Sequence, residues 1–289
     1  MPIVEPIIRP PSEAESFLLQ VTVGCSSNNC SFCGAYVNKP FSTQEHEEIV
    51  SDIEEGRRRY PRARKVFLLD GDALAVKNDR LLPVLDALNR SFPLLSRISS
   101  YANGYNITGR DDKELAELYD RRLRLIYIGL ESGCQDILDR CGKRSRAEEM
   151  VIAVRRAERS GIKTSVITLL GLGGRRYSGE HVKETVAALN RMQPRFLSFL
   201  SVMAIPGTAL DDEIQRGDFE ELSSAELLKE AYDILSGLAL EKTIFRSNHA
   251  SNYLPLAGRL PRDKAALLGS LRSAIRGEVD LKPDFMRGL

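Results

Sequence analysis

The sequence has no hydrophobic run long enough to cross a membrane. Its longest apolar stretch lies around residues 166–172, whereas a helix that spans a bilayer needs about 20 apolar residues. The N-terminus also lacks a basic segment followed by an apolar one, which is the pattern of a secretory leader. These absences predict a cytoplasmic protein with no membrane partner.

The chain also has little net charge, because 41 Lys and Arg residues stand against 40 Asp and Glu residues. A dedicated nucleic-acid binder is usually basic, so we expect no nucleic-acid-binding domain, although this balance leaves room for a local basic groove. Of the 289 residues, 43% are hydrophobic. That fraction is ample for a packed core and too high for a disordered chain.

Short β-rich runs alternate with helical patterns along the chain. The predicted strands are residues 17–23, 65–69, 97–101, 125–130, 164–169 and 196–203, with a weaker one at 243–246. This alternation is typical of βαβ units and a parallel sheet. It predicts an α/β protein with a partial (β/α)6 barrel of the TIM type, and an open doubly wound sheet is the competing architecture.

The same pattern predicts how the chain is organised. We expect an N-terminal arm at 1–16, the partial barrel at 17–210 and a C-terminal helical extension covering the barrel at 211–289. Ser223 with Glu226 forms a capping box that opens a helix in this extension. His46 and His181 lie in helical patterns and are predicted to face solvent.

Five cysteines are present, and Cys25, Cys30 and Cys33 crowd together directly after the first predicted strand. An odd count argues against a disulfide framework. In a parallel barrel, active sites are built at the C-terminal ends of the strands. Three thiolates on one loop can hold a soft metal centre, and the missing fourth protein ligand leaves a position open for chemistry.

Other interpretations of these cysteines stay open. A structural zinc site is possible if Cys134, Cys141 or His46 supplies a fourth ligand. Cys30 and Cys33 also have the spacing of a dithiol redox pair. Cysteines can be small core residues as well, although a polar loop rich in Asn and Ser disfavours that interpretation.

This loop resembles the cluster loop of the radical S-adenosylmethionine (SAM) superfamily, which binds a [4Fe-4S] cluster through three cysteines after the first strand of a partial (β/α)6 barrel. The resemblance implies that Cys25, Cys30 and Cys33 hold the cluster, that SAM chelates the remaining iron, and that Phe32 packs beside the adenine. The family usually has three residues between the first two cysteines, whereas this chain has four. The departure leaves the subfamily unassigned.

Further motifs follow the later predicted strands in the order that the resemblance requires. They are an Asp-Gly-Asp segment at 70–72, Glu131 after a buried run, a glycine-rich segment at 170–174 and a Pro-Gly-Thr segment at 206–208. A Glu at such a strand end is costly without a partner. An ordinary turn at 70–72 and a solvated lysine at position 143 are the competing interpretations. The SAM-binding residues that the resemblance implies are Gly71, Asp72, Ser99, Glu131, Ser132, Lys143 and Leu172.

The resemblance also implies a function. A reduced cluster would donate one electron to SAM, giving methionine and a 5′-deoxyadenosyl radical that abstracts hydrogen from a small-molecule substrate. The enzyme would be oxygen-sensitive and would need an electron donor such as flavodoxin or ferredoxin. A tetrapyrrole-related activity is one option, although the glutamate-rich third-strand motif of that group is absent. The alternative is a non-catalytic zinc or iron–sulfur binding protein on a barrel scaffold.

Arg246 and His249 follow the last predicted strand and are candidate catalytic residues outside the SAM motifs. An Arg suits a carboxylate or phosphate group, and a His can transfer a proton near neutral pH. A polar loop with a hydrogen-bonded His is the competing interpretation of this segment.

Overall fold

Strands and helices alternate along the computed structural model, which describes residues 3–288. The strands of this part of the chain are β1 (Phe17–Leu19), β2 (Thr22–Val23), β3 (Ser42–Thr43), β4 (Lys65–Leu68), β5 (Arg97–Tyr101), β6 (Leu123–Glu131), β7 (Lys163–Leu170), β8 (Phe196–Ser201), β9 (Thr243–Arg246) and β10 (Ala257–Leu260). The helices are α1 (His46–Arg59), α2 (Asn78–Ser91), α3 (Gly104–Thr108), α4 (Asp112–Asp120), α5 (Gln135–Arg140), α6 (Ala147–Arg159), α7 (Gly174–Met192), α8 (Ala209–Arg216), α9 (Ser224–Gly237) and α10 (Lys264–Ile275). The predicted α/β class is confirmed.

The chain divides into two compact units. The first contains residues 3–28, 35–128 and 156–164, and the second contains residues 29–34, 129–155 and 165–288. The division into an arm, a barrel and a C-terminal extension at residues 16 and 210 stays a prediction.

The first unit is built on parallel strands in the order β1-β4-β5-β6. Phe17 pairs with Val66, and Val66 pairs in turn with Ile98. Apolar side chains of β4 are fully buried, as expected for a parallel strand covered on both faces. The carboxyl ends of these strands therefore share one edge of the sheet, and the chain segments that follow them carry polar residues.

The first predicted strand, 17–23, is divided in the structure. β1 ends at Leu19, and β2 leaves the parallel sheet to form a two-stranded antiparallel ribbon with β3. The break falls at Gln20, whose side-chain amide donates a hydrogen bond to Asp70 Oδ2 at 2.8 Å. A buried hydrogen bond thus stands where the sequence pattern predicts a continued strand.

The second unit contains β7, β8 and β9 as parallel neighbours, and β10 pairs with β9 in antiparallel orientation. α9 packs against α7 and α10. The predicted capping box opens α9, because Ser223 accepts from the Glu226 N–H and the Glu226 side chain accepts from the Ser223 N–H. Among the helices that the structure describes, none is both long and apolar enough to span a membrane.

Candidate active site

The segment after β4 lies directly against the loop that carries Cys25 in the first unit. The Gly71 N–H donates to the Gly24 carbonyl at 3.0 Å. A Cβ atom at Gly71 would lie 2.7 Å from Cys25 Cβ and 2.9 Å from its Sγ, so a side chain here would clash. Cys25 is half-buried, and its position next to the 70–72 segment agrees with the order of motifs in the sequence.

Asp70 anchors the same loop through a buried ion pair that the sequence pattern does not predict. Its carboxylate lies 2.8 Å from Lys39 Nζ, and both side chains are almost completely buried. Asp70 also accepts the Gly24 N–H at 2.9 Å and has a positive φ of 67°. Lys39 and Asp70 are 31 residues apart, so no local spacing signals that they meet.

The Asp72 carboxylate is buried within a set of hydrogen-bond donors. Asn103 Nδ2 donates to it at 2.9 Å and the Tyr105 hydroxyl at 3.3 Å, and Ser26 Oγ and Asn106 Nδ2 also donate. Burial raises the pKa of Asp72, although the hydrogen bonds from Ser26 and the asparagines oppose that shift. Asp72 thus holds the residue that follows the first cysteine, and its predicted contact with SAM stays a prediction.

Cys30 and Cys33 belong to the short loop 29–34 of the second unit, and both are half-buried. The Cys33 N–H donates to the Cys30 carbonyl at 3.0 Å. Between them, the Ser31 N–H donates to the Cys141 carbonyl at 2.8 Å, and the Ser31 carbonyl accepts the Leu210 N–H at 2.9 Å. Backbone hydrogen bonds therefore fix this loop.

Phe32 and Leu172 come together in one apolar cluster of the second unit. Phe32 packs against a cluster of six buried residues, which are Cys134, Ile137, Cys141, Leu172, Val202 and Leu210. Cys134 and Cys141 are buried packing residues of this cluster. Burial raises the pKa of the Cys141 thiol to about 12, so this thiol is neutral at physiological pH. The predicted contacts of Phe32 and Leu172 with adenine stay predictions.

Glu131 and Lys143 form an ion pair at the C-terminal end of β6. Lys143 Nζ lies 3.1 Å from Glu131 Oε1, and the side chains are only 8% and 11% exposed, respectively. Burial lowers the pKa of Lys143, but the charge and hydrogen bond of Glu131, together with the nearby Cys30 and Cys141, outweigh burial and raise the pKa above the ordinary value. A Cβ at Gly129 would lie 1.9 Å from Glu131 Oε1. Glu131 itself has a positive φ of 60°, a strained conformation that often occurs at functional sites.

The two predicted serines are fully buried and hydrogen-bonded within the protein. Ser99 Oγ donates to the Val66 carbonyl at 3.3 Å. Ser132 Oγ accepts the Cys134 N–H at 3.0 Å and lies 2.9 Å from His181 Nδ1. Their roles in binding SAM stay predictions.

The prediction that His181 faces solvent is wrong, because His181 is fully buried on α7. The buried residues of this helix include His181, Thr185, Ala188, Leu189 and Met192. Their spacing of three or four residues marks one helical face, and this stripe was the signal that could have placed the histidine inside. His46 is exposed, as predicted.

Arg246 and His249 lie at the end of β9 and in the loop that follows it. Arg246 is exposed, and its Nη1 donates to the neighbouring Phe245 carbonyl at 2.9 Å. His249 Nδ1 accepts the Ser251 N–H at 3.2 Å, and burial lowers the pKa of His249 with help from the Lys282 charge. These contacts are local to the loop, and the catalytic roles of both residues stay predictions.

The three loop cysteines suit the cluster that the resemblance implies. Cys25, Cys30 and Cys33 are half-buried, whereas Cys134 and Cys141 are buried. Thiolates are the ligands that iron–sulfur clusters take in proteins. Within residues 3–288, no three His, Cys, Asp or Glu side chains form a group that could hold a metal ion as they stand.

Comparison with known proteins identifies the family. Residues 19–189 match the radical SAM superfamily. The chain is 21% identical to the heme chaperone HemW of Bacillus subtilis (strain 168), over 71% of this chain and 55% of HemW. Two solved structures have similar folds, and this similarity confirms the predicted partial barrel.

The first of these structures is TsrM, a radical SAM methyltransferase from Kitasatospora setae with cobalamin and a [4Fe-4S] cluster bound. It has a TM-score of 0.57 and 19% identity over 70% of this chain and 39% of TsrM. The second is coproporphyrinogen III oxidase (HemN) from Escherichia coli, a radical SAM enzyme. It has a TM-score of 0.56 and 14% identity over 76% of this chain and 50% of HemN.

The chain therefore spans about half the length of the proteins that it resembles. The family match covers residues 19–189 of 289, which is well over half of the chain. This chain belongs to the radical SAM superfamily, and its cofactors are a [4Fe-4S] cluster and SAM.

Proposed function

We propose that this protein is an oxygen-sensitive enzyme that cleaves SAM reductively and uses the product radical to abstract hydrogen from a small-molecule substrate. The observation that carries this proposal is the contact of Gly71 with Cys25. The glycine backbone occupies the space beside the first loop cysteine, where a Cβ would lie 2.9 Å from Sγ. A protein that only packed its cysteines would not need a strand-end segment without a side chain against that thiol.

In this proposal Cys25, Cys30 and Cys33 hold the cluster. When bound, the cluster and SAM supply one-electron cleavage of the sulfonium to methionine and a 5′-deoxyadenosyl radical. The chain contributes thiolate ligands and a loop whose position is fixed. The loop is fixed by Asp70, which holds the Gly24 N–H, and by Asp72, which holds Ser26.

The Glu131–Lys143 pair would provide polar groups for SAM. A carboxylate can accept hydrogen bonds from ribose hydroxyls, and an ammonium group can meet a carboxylate. Both side chains are nearly buried, so water competes weakly for them and each interaction is stronger than at an exposed site. The strained backbone at Glu131 supports a functional role for this residue.

Gly71 and Asp72, Ser99, Ser132, Phe32 and Leu172 are proposed as further contacts of SAM. Arg246 and His249 are proposed to act on the substrate. The reaction needs an electron from outside, for which we propose a flavodoxin or ferredoxin. A cytoplasmic location is proposed because reduced thiols persist there.

The test is an anaerobic assay of protein reconstituted with iron and sulfide, given reductant and SAM. We expect 5′-deoxyadenosine, measured by mass spectrometry, from the wild type and not from a C25A/C30A/C33A variant. The C134A variant is the matched control, since Cys134 is a buried packing residue, and it should keep both its iron content and its activity.

Two results would contradict the proposal. One is the same yield of 5′-deoxyadenosine from the triple variant as from the wild type. The other is purified protein that binds zinc at the three cysteines and takes up no iron, which would favour the non-catalytic alternative.

A further inference from the structure

A buried polar network of side chains connects α7 and α9 to two strand ends in the second unit. His181 of α7 is fully buried, and Glu230 of α9 is only 2% exposed. His181 Nε2 lies 3.7 Å from Glu230 Oε1 and, within the described residues, has no hydrogen-bond partner. Burying such groups costs free energy, and leucines at both positions would pack more cheaply, so packing alone does not explain them.

At one end, this polar network holds the backbone that follows Glu131. His181 Nδ1 lies 2.9 Å from Ser132 Oγ. One helical turn later, Thr185 Oγ1 accepts the Gly133 N–H at 2.9 Å. A Cβ at Gly133 would lie 2.2 Å from a backbone oxygen of α7. Two side chains and the backbone of α7 thus fix the two residues after Glu131.

At the other end, the polar network holds the glycine-rich segment after β7. Glu230 Oε1 accepts the Gly171 N–H at 2.5 Å, and Oε2 accepts the hydroxyl of Ser178. Gly171 has a left-handed φ of 81° and immediately precedes Leu172. Without this carboxylate, a buried N–H at a turn would lose its acceptor, which costs free energy and loosens the turn.

The protonation states of His181 and Ser132 are consistent with this arrangement. Burial lowers the pKa of His181 to about 4, so the imidazole is neutral near pH 7. Ser132 Oγ already accepts the Cys134 N–H and can donate its own proton to Nδ1. The imidazole proton then stands on Nε2, which faces Glu230. His181 thereby accepts a hydrogen bond at Nδ1 and turns its N–H toward the Glu230 carboxyl group, 3.7 Å from Nε2.

We propose that His181 and Glu230 are positioning residues that hold the Glu131–Ser132 and Gly171–Leu172 segments in the geometry that binds SAM. α9 would then be a functional part of the SAM site. This inference rests on the proposed function, since it assigns a role to residues behind the proposed SAM contacts.

The test compares SAM binding by cluster-loaded variants, measured by anaerobic isothermal titration calorimetry with SAM itself. We expect E230A and H181A each to raise the Kd for SAM about tenfold, the size usual for residues that support a ligand shell. E230Q keeps an oxygen for the Gly171 N–H and should recover most of the affinity. E221A, at an exposed glutamate that precedes α9, should bind SAM like the wild type.

Iron content and Tm distinguish positioning from simple loss of stability. If E230A and H181A lower Tm but bind SAM as the wild type does, the inference is overturned. If both fail to fold, hydrogen exchange of the wild type decides. SAM should then slow exchange in residues 226–234 together with 171–174, and unchanged exchange in 226–234 would overturn the inference.

The wild type separates this inference from the proposed function. Cluster-loaded wild type that neither binds SAM nor forms 5′-deoxyadenosine contradicts the proposed function and the inference with it. Wild type that does both, beside folded variants with unchanged SAM affinity, contradicts the inference alone.

Discussion

At the scale of single residues, two glycines make room for the side chains that the candidate site uses. A Cβ at Gly71 would meet Cys25, and one at Gly129 would meet the Glu131 carboxylate. The sequence predicts a role for Gly71 from the order of motifs but contains no sign of the role of Gly129. That role depends on the Glu131 side chain, which turns back over its own strand. Only the tertiary structure shows this orientation.

We predict that G71A prevents normal assembly of the loop that carries Cys25. The added methyl would lie 2.9 Å from the Cys25 Sγ, which forces the loop or the strand end to move. The iron content after reconstitution should fall by at least half. The control is G269A, because Gly269 lies in α10 with no atom within 4 Å of its would-be Cβ. Normal iron uptake by G71A would refute this account of the contact.

A second residue-scale prediction concerns E131A. The cluster should still assemble, because Glu131 is not one of its proposed cysteine ligands. SAM should bind about tenfold more weakly. Part of the loss comes from Lys143, which is left nearly buried without its carboxylate partner. Calorimetric titration with SAM measures the effect, and E148A, at an exposed glutamate of α6, is the control. Unchanged affinity would remove Glu131 from the site.

At the scale of elements, the segments that follow the strands show where pattern-based prediction succeeds and where it fails. The weak run at 243–246 is strand β9 with those bounds, because its β-branched and aromatic residues favour a strand. β10 was missed, since Ala-Gly-Arg-Leu has no such run and becomes a strand only by pairing with β9. The predicted strand at 17–23 is broken at Gln20, whose side chain donates a hydrogen bond to Asp70.

The loop between β2 and β3, which Asp70 anchors, gives a prediction at this scale. D70N should destabilise the protein by about 3 kcal/mol, because it leaves Lys39 buried without a charged partner. Urea unfolding under anaerobic conditions measures the difference. D218N removes one partner of an exposed pair with Arg216 and should change the free energy of unfolding by less than about 0.5 kcal/mol. Equal effects of the two substitutions would show that burial does not govern the Asp70 pair.

At the scale of the whole molecule, buried titratable groups make stability depend on pH. Burial raises the pKa of Glu230 from 4.5 to about 7. Between these two pKa values the folded state binds more protons at Glu230 than the unfolded state does. The contribution of Glu230 to the free energy of unfolding therefore falls as pH rises. Burial lowers the pKa of His181 from 6.5 to about 4, which makes its contribution rise with pH over an overlapping range. The two dependences oppose each other.

E230Q should separate the two contributions. In this variant the contribution of His181 to the free energy of unfolding still rises with pH. The contribution of Glu230, which falls as pH rises, is lost. Its free energy of unfolding should therefore increase relative to the wild type between pH 4.5 and 7, by about 3 kcal/mol. Urea unfolding at pH 5.0 and pH 7.5 provides the comparison, with E241Q at an exposed position as the control. A constant difference between variant and wild type across this range would show that Glu230 does not titrate as described.

The sequence by itself determined the α/β class, the three cysteines after the first strand and the polar residues at later strand ends. These features are local, because hydrophobic periodicity and loop composition follow from neighbouring residues. Only the tertiary structure decided which polar groups meet, such as Lys39 with Asp70 and His181 with Glu230. A buried polar group needs a partner, but that requirement does not say which distant residue supplies it, and the pairing follows only once the strands and helices have packed.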